Sequence, residues 1–143
     1  MVMQRTITRV LLVVFGLVEA VVGIWPLVSP TGFYQDFPGF RAGWVSMDGA
    51  FNEHLLRDFG GLNLGLAALL IGAAVIGTTA VARLAAVSAL LFGVPHFGYH
   101  LGHVSHFERI DQILIVASTG LGVVLPLALL LLPGRRVSPP AIP

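Results

Sequence analysis

Four long stretches with few or no charged residues constrain the fold of this chain more than any other feature. Each is about 20 residues long, which is the length that an α-helix needs to cross a bilayer. The spans fall at residues 10–28, 55–76, 84–103 and 113–132. The sequence therefore predicts an all-α integral membrane protein built as a four-helix bundle.

The composition agrees with a membrane protein. Charged residues make up 10% of the 143 residues and hydrophobic residues 56%, whereas soluble domains carry about 25% charged residues. The net charge is +1 without a basic cluster, so no nucleic-acid partner is indicated. The chain has no cysteine, which excludes disulfides, thiolate metal sites and thiol redox chemistry.

The connections between spans predict how the helices are arranged. The segment "GTTAVAR" at residues 77–83 reads as a short turn between the second and third spans, and short connections make neighbouring helices antiparallel. Residues 1–134 are expected to form a single membrane domain, with a disordered cytoplasmic tail at 135–143. The first span has a basic start but an apolar run too long for an ordinary signal peptide, so we expect it to be retained.

Arginines predict the orientation, because basic residues mark the cytoplasmic side. Five of them fall on one side of the predicted bundle: Arg5, Arg9, Arg83, Arg135 and Arg136. We therefore expect a multi-pass protein of the cell membrane with both termini in the cytoplasm. The aromatic loop at residues 29–51 then lies outside, and we favour an interfacial cap over a lid for it.

Four of the five histidines fall within eleven positions near the end of the third span. His96, His100 and His103 have the spacing i, i+4 and i+7, which places them on one face of a helix. His106 is rotated away from that face and is expected in the following turn.

Two other spans carry ionisable residues beside glycines. His54 and Asp58 share a face with Gly61 and Gly65, and glycines let another helix approach closely. We therefore expect that face of the second span to be packed against a neighbour.

In the first span, Glu19 lies between Gly16 and Gly23, so the same reasoning predicts a packed face. Glu19, Asp58 and His96 lie at similar depth from the outer ends of three helices, and Asp111 starts the fourth span. These positions predict one polar pocket that opens to the outside.

Imidazole and carboxylate groups on facing helices are the usual ligands of a metal in a bundle. The predicted metal ligands are His96, His100, Asp58 and His54, and the metal would be zinc, iron or copper; haem is less favoured. The pocket would support redox chemistry, with no catalytic residue assigned. Its further members are Glu19, Glu53, Arg57, His103, Asn52 and Asp111.

Two alternatives use the same residues. In the first, the chain is a non-enzymatic membrane subunit whose polar cluster stabilises the bundle or docks a membrane protein or a second copy. In the second, a weaker alternative, the cluster is a proton or ion pathway, because histidine titrates near pH 6.5. Few polar residues continue inward below Glu19, which argues against a pathway.

The strings "FYQDFPGFRAGWVSMDGAFNEHLLRDFGGLNLGLA" and "PHFGYHLGHVSH" resemble four-helix integral membrane proteins common in actinobacteria, similar in size and layout to the DoxX-like group. The resemblance runs from Phe33 to about Leu132 and implies four spans, without implying a reaction. The DoxX-like group is associated with respiratory or thiol-redox partners, but this chain has no cysteine for a thiol role. The matching positions are Asn52, Glu53, His54, Asp58, His96, His100 and His103.

Overall fold

A computed structural model describes residues 2–131 of the chain. It contains five α-helices, α1 (Val2–Val28), α2 (Pro30–Asp36), α3 (Glu53–Ile76), α4 (Thr79–His103) and α5 (Arg109–Leu131), with a 3₁₀ turn at Val104–His106 between the last two. Within residues 2–131 there is no β-strand, which confirms the all-α class. The tail at 135–143, with Arg135 and Arg136, lies outside the described residues.

Four of the helical segments are long and apolar enough to cross a membrane: Thr6–Val28, Glu53–Ile76, Thr79–His106 and Arg109–Leu131. They match the four predicted spans, and α2 is the only additional helix in the described part of the chain. Pro30 suits the first position of α2 because a proline there removes no helical hydrogen bond.

The connection between α3 and α4 is shorter than predicted. Gly77 ends α3 in the left-handed conformation, with φ +70°, which glycine adopts without steric cost. The Thr78 side chain accepts a hydrogen bond from the Val81 amide and caps α4. The segment 77–83 is therefore mostly helical, because the cap satisfies a free amide at the start of α4.

Glycines bring the helices together in two pairs. A Cβ atom built on Gly23 of α1 would lie 2.8 Å from the Gly60 carbonyl oxygen of α3. Likewise, a Cβ atom on Gly93 of α4 would lie 2.7 Å from the Gly122 carbonyl oxygen of α5. The helices α3 and α4 meet less closely than the helices within either pair.

The apolar core occupies one end of the bundle. It is formed where the start of α1 and the end of α3 meet the start of α4 and the end of α5, around Leu12, Leu70, Ala85 and Leu129. The opposite end carries the histidines of α4 and Asp111 of α5, and we call it the histidine end. Polar and aromatic contacts replace the apolar core there.

Candidate functional site

His96 and His100 lie side by side on one face of α4, as their spacing predicts. Their ring centroids are 4.7 Å apart in an edge-on arrangement, and Phe92 stacks on His96 with a centroid distance of 4.9 Å. The Nδ1 atom of His100 is buried, and no group of the described chain forms a hydrogen bond with it. This nitrogen is therefore shielded and has no hydrogen-bond partner within residues 2–131.

The other two histidines of the segment have separate surroundings. His103 is exposed, stacks on Tyr99 at 4.1 Å, and its Nδ1 lies 2.8 Å from the Tyr99 carbonyl oxygen. His106 lies in the 3₁₀ turn, with its Nε2 atom 3.8 Å from a carboxylate oxygen of Asp48.

Asp48 is a carboxylate that the structure brings to the histidine end, and sequence reasoning missed it. It interacts electrostatically with both His96 and His100, and only 18% of its side chain is exposed. It lies in the loop at residues 37–52, which has no helical periodicity to relate it to α4. The composition of the loop could have indicated Asp48 as a candidate, because Asp36 and Asp48 are the only carboxylates in the predicted outer loop 29–51.

A clamp formed by Arg41, Trp44 and Asp111 fixes this loop to α5. Arg41 donates hydrogen bonds to both carboxylate oxygens of Asp111 and to Glu108, and the Trp44 indole donates to Asp111 at 2.9 Å. The Asp111 side chain is only 11% exposed. Asp111 therefore anchors the loop to the start of α5.

The charge of Arg41 does not titrate under ordinary conditions. Its hydrogen bond to Asp111, with a smaller contribution from Glu108, raises the pKa of Arg41 above its ordinary value. Because the pKa of Arg41 is higher in the folded state, its positive charge stabilises the fold fully at any pH below its unfolded-state pKa. The contribution of the Arg41 cation is lost as the pH rises through the folded-state value, so the clamp keeps its cation at every physiological pH.

The pair predicted on α3 lies on an exposed surface. His54 and Asp58 approach each other at 3.1 Å, and their side chains are 88% and 58% exposed. Apart from the adjacent residues and the nearby backbone of α3 itself, no atom of the described chain lies within 4 Å of a Cβ built on Gly61 or Gly65. The predicted packed face of α3 is therefore wrong, because α3 turns Gly60, one residue and about 100° away, toward α1.

The predicted packed face of α1 is confirmed. Glu19 is only 8% exposed, and Cβ atoms built on Gly16 and Gly23 would meet α3 at less than 3 Å.

The remaining predicted members of the pocket, Asn52, Glu53 and Arg57, form contacts at the start of α3. The Asn52 side chain accepts a hydrogen bond from the Leu55 amide and caps the helix. Arg57 pairs with Glu53 at 2.8 Å and donates to the Leu27 carbonyl of α1 at 2.6 Å.

The described residues do not form a complete metal-ligand set. Across residues 2–131, no group of three or more histidine, aspartate or glutamate side chains is arranged to hold a metal ion. His96 and His100 are in mutual contact, whereas His54 and Asp58 form their own exposed pair.

Comparisons with protein-family models, with curated proteins and with solved structures found no match to this chain.

Proposed function

We propose that this chain is a multi-pass membrane protein that binds a transition-metal ion at the histidine end, through His96, His100 and Asp48. The observation that carries the proposal is the buried, unpartnered Nδ1 of His100 beside the His96 ring. A buried polar atom without a partner costs free energy, and a metal ion would satisfy it. Of the sequence-predicted ligands, the proposal keeps the two histidines and replaces Asp58 and His54 with Asp48.

Two neutral imidazoles and one carboxylate suit zinc, copper or iron. Such a set leaves coordination positions for water or substrate, and iron or copper there would support redox chemistry. Because the three groups do not stand as a finished ligand set, metal binding would draw Asp48 toward the two rings. His106, beside Asp48, would then orient the carboxylate.

The same proposal includes an antiparallel arrangement with both termini in the cytoplasm. Two contacts support it: Arg9 near the start of α1 lies beside Gly77 at the end of α3, and Arg57 at the start of α3 reaches Leu27 at the end of α1. Arg9 and Arg83 then share the cytoplasmic side, and the histidine end faces outward. Membership of the four-helix membrane proteins that the chain resembles is part of the proposal and is supported by the quoted motifs.

Elemental analysis of the protein purified in detergent tests the metal site, because the chain offers a second histidine pair as a matched control. We expect near-stoichiometric metal in the wild type and after the double change His54→Ala with Asp58→Ala. The double change His96→Ala with His100→Ala would remove it from a protein that still folds, and Asp48→Ala would weaken binding. No metal in the wild type after reconstitution with zinc, iron and copper would contradict metal binding, and loss only in the His54/Asp58 variant would contradict the site.

The second candidate is a non-enzymatic subunit whose polar cluster is structural or docks a membrane partner. The clamp between Arg41, Trp44 and Asp111 favours it, because these contacts connect distant parts of the chain. It predicts that removing His96 and His100 lowers the amount of folded protein, with no metal in the wild type.

A further inference from the structure

We infer a second binding site, in the groove between α3 and α4, for an uncharged lipid that carries a hydroxyl group. The groove has a volume of about 410 Å³ and is lined by four leucines, Phe92, Asn63 and Ser88. This volume lies within the range of about 300–1,000 Å³ that small-molecule sites usually have. Asn63 and Ser88 lie near the middle of their spans, so the groove is at membrane depth.

Asn63 supplies an unsatisfied acceptor at this groove. Its side-chain nitrogen donates to the Phe59 carbonyl at 2.7 Å, which sets the orientation of the amide. The residue is 3% exposed, and no donor within residues 2–131 reaches its Oδ1 atom. Since no bulk water is available at membrane depth, a donor group that enters the groove would satisfy this oxygen.

The lining defines the class of ligand. Every residue of the groove is uncharged, and a charge at the middle of a span is costly. A hydroxyl can donate to Asn63 Oδ1 and accept from the Ser88 hydroxyl, whereas an alkyl chain or an ether cannot donate. Leu62 and Leu91 of the lining are 77% and 74% exposed, so the groove opens on the lipid-facing surface and a chain can enter from the bilayer.

The site is distinct from the proposed metal site and does not depend on it. Phe92 lines the groove and stacks on His96, so the groove lies directly beside the histidine pair.

Photolabelling with two matched probes tests the inference. The first probe is hexadecanol with a diazirine in its chain, and the second is the methyl ether of the same molecule. We expect the alcohol to label the groove peptides around residues 62–69 and 88–92 about fivefold more than the ether, which corresponds to about one hydrogen bond. Equal labelling of these peptides in the wild type would overturn the inference without any variant.

Two variants test whether Asn63 causes the stronger labelling by the alcohol. Asn63→Leu would remove it, so that both probes label alike. Thr119→Val would keep it, because the Thr119 hydroxyl donates to the Ile115 carbonyl within α5, away from the groove. A preference that survives Asn63→Leu in folded protein would contradict the role of Asn63.

Discussion

Arg41 is the residue through which the loop at residues 37–52 is held against α5. Removing it leaves the nearly buried Asp111 carboxylate with the Trp44 indole as its remaining side-chain donor. We therefore expect Arg41→Ala to increase amide hydrogen exchange across residues 37–52 several-fold, while α3 and α4 keep their protection. Hydrogen exchange followed by mass spectrometry measures this directly.

The second partner of Arg41 provides the control. Glu108 accepts from Arg41 at 2.9 Å, but its side chain is 78% exposed, and exposed ion pairs contribute little. Glu108→Gln is expected to leave the exchange of the loop close to the wild type. An effect of Glu108→Gln as large as that of Arg41→Ala would show that Asp111 is not the main anchor.

The surroundings of Glu19 could be predicted from the sequence, whereas those of Asp48 could not. The burial of Glu19 follows from the glycines on either side of it, because all three lie on one regular helix. Asp48 lies in a loop, where no period relates a side chain to a helix face. The loop that carries it is fixed to α5 by the Arg41 clamp, which joins residues 70 positions apart.

The crossing of α1 and α3 depends on Gly60 and not on the adjacent Gly61. A Cβ on Gly60 would lie 2.7 Å from the Gly23 carbonyl oxygen and 2.9 Å from Leu27. We expect Gly60→Ala to lower the free energy of unfolding by about 1–3 kcal/mol, since the backbone of α1 must move away. Unfolding of the purified protein in mixed detergent micelles with increasing dodecyl sulfate measures the change.

Gly61→Ala is the matched control on the same helix, because its Cβ would enter open space. Alanine favours the helix over glycine by up to about 1 kcal/mol, so this variant is expected to be as stable as the wild type or slightly more so. A Gly61→Ala variant less stable than Gly60→Ala would contradict the helix crossing.

Element boundaries were predicted well where the physical signal is local. The four spans follow from runs of apolar residues, and the second was predicted to start at residue 55, two residues after α3 begins at Glu53. The start of α4 at Thr79 was missed, because "GTTAVAR" contains residues common in turns. The side of α3 that packs against α1 was also missed, because Gly60 and Gly61 are equally small and only the packing itself distinguishes them.

The proposed topology is testable on the whole molecule because the chain has no native cysteine. Gly49→Cys places a thiol in the loop at the histidine end, and Ala80→Cys places one at the start of α4. With both termini in the cytoplasm, a membrane-impermeant maleimide would label Gly49→Cys in intact cells and Ala80→Cys only after permeabilisation. The reverse pattern would place the histidine end in the cytoplasm.

The sequence by itself determined that this protein is all-α with four membrane-spanning candidates, because span length and apolarity are properties of consecutive residues. It also determined that His96 and His100 share a face, since helical periodicity fixes that relation within one element. Only the tertiary structure decided that Asp48 lies at the histidine end, that Asp111 anchors the loop, and that His54 and Asp58 are exposed. These outcomes depend on the rotation of each helix about its axis and on the path of a loop, which are set by close packing between distant segments.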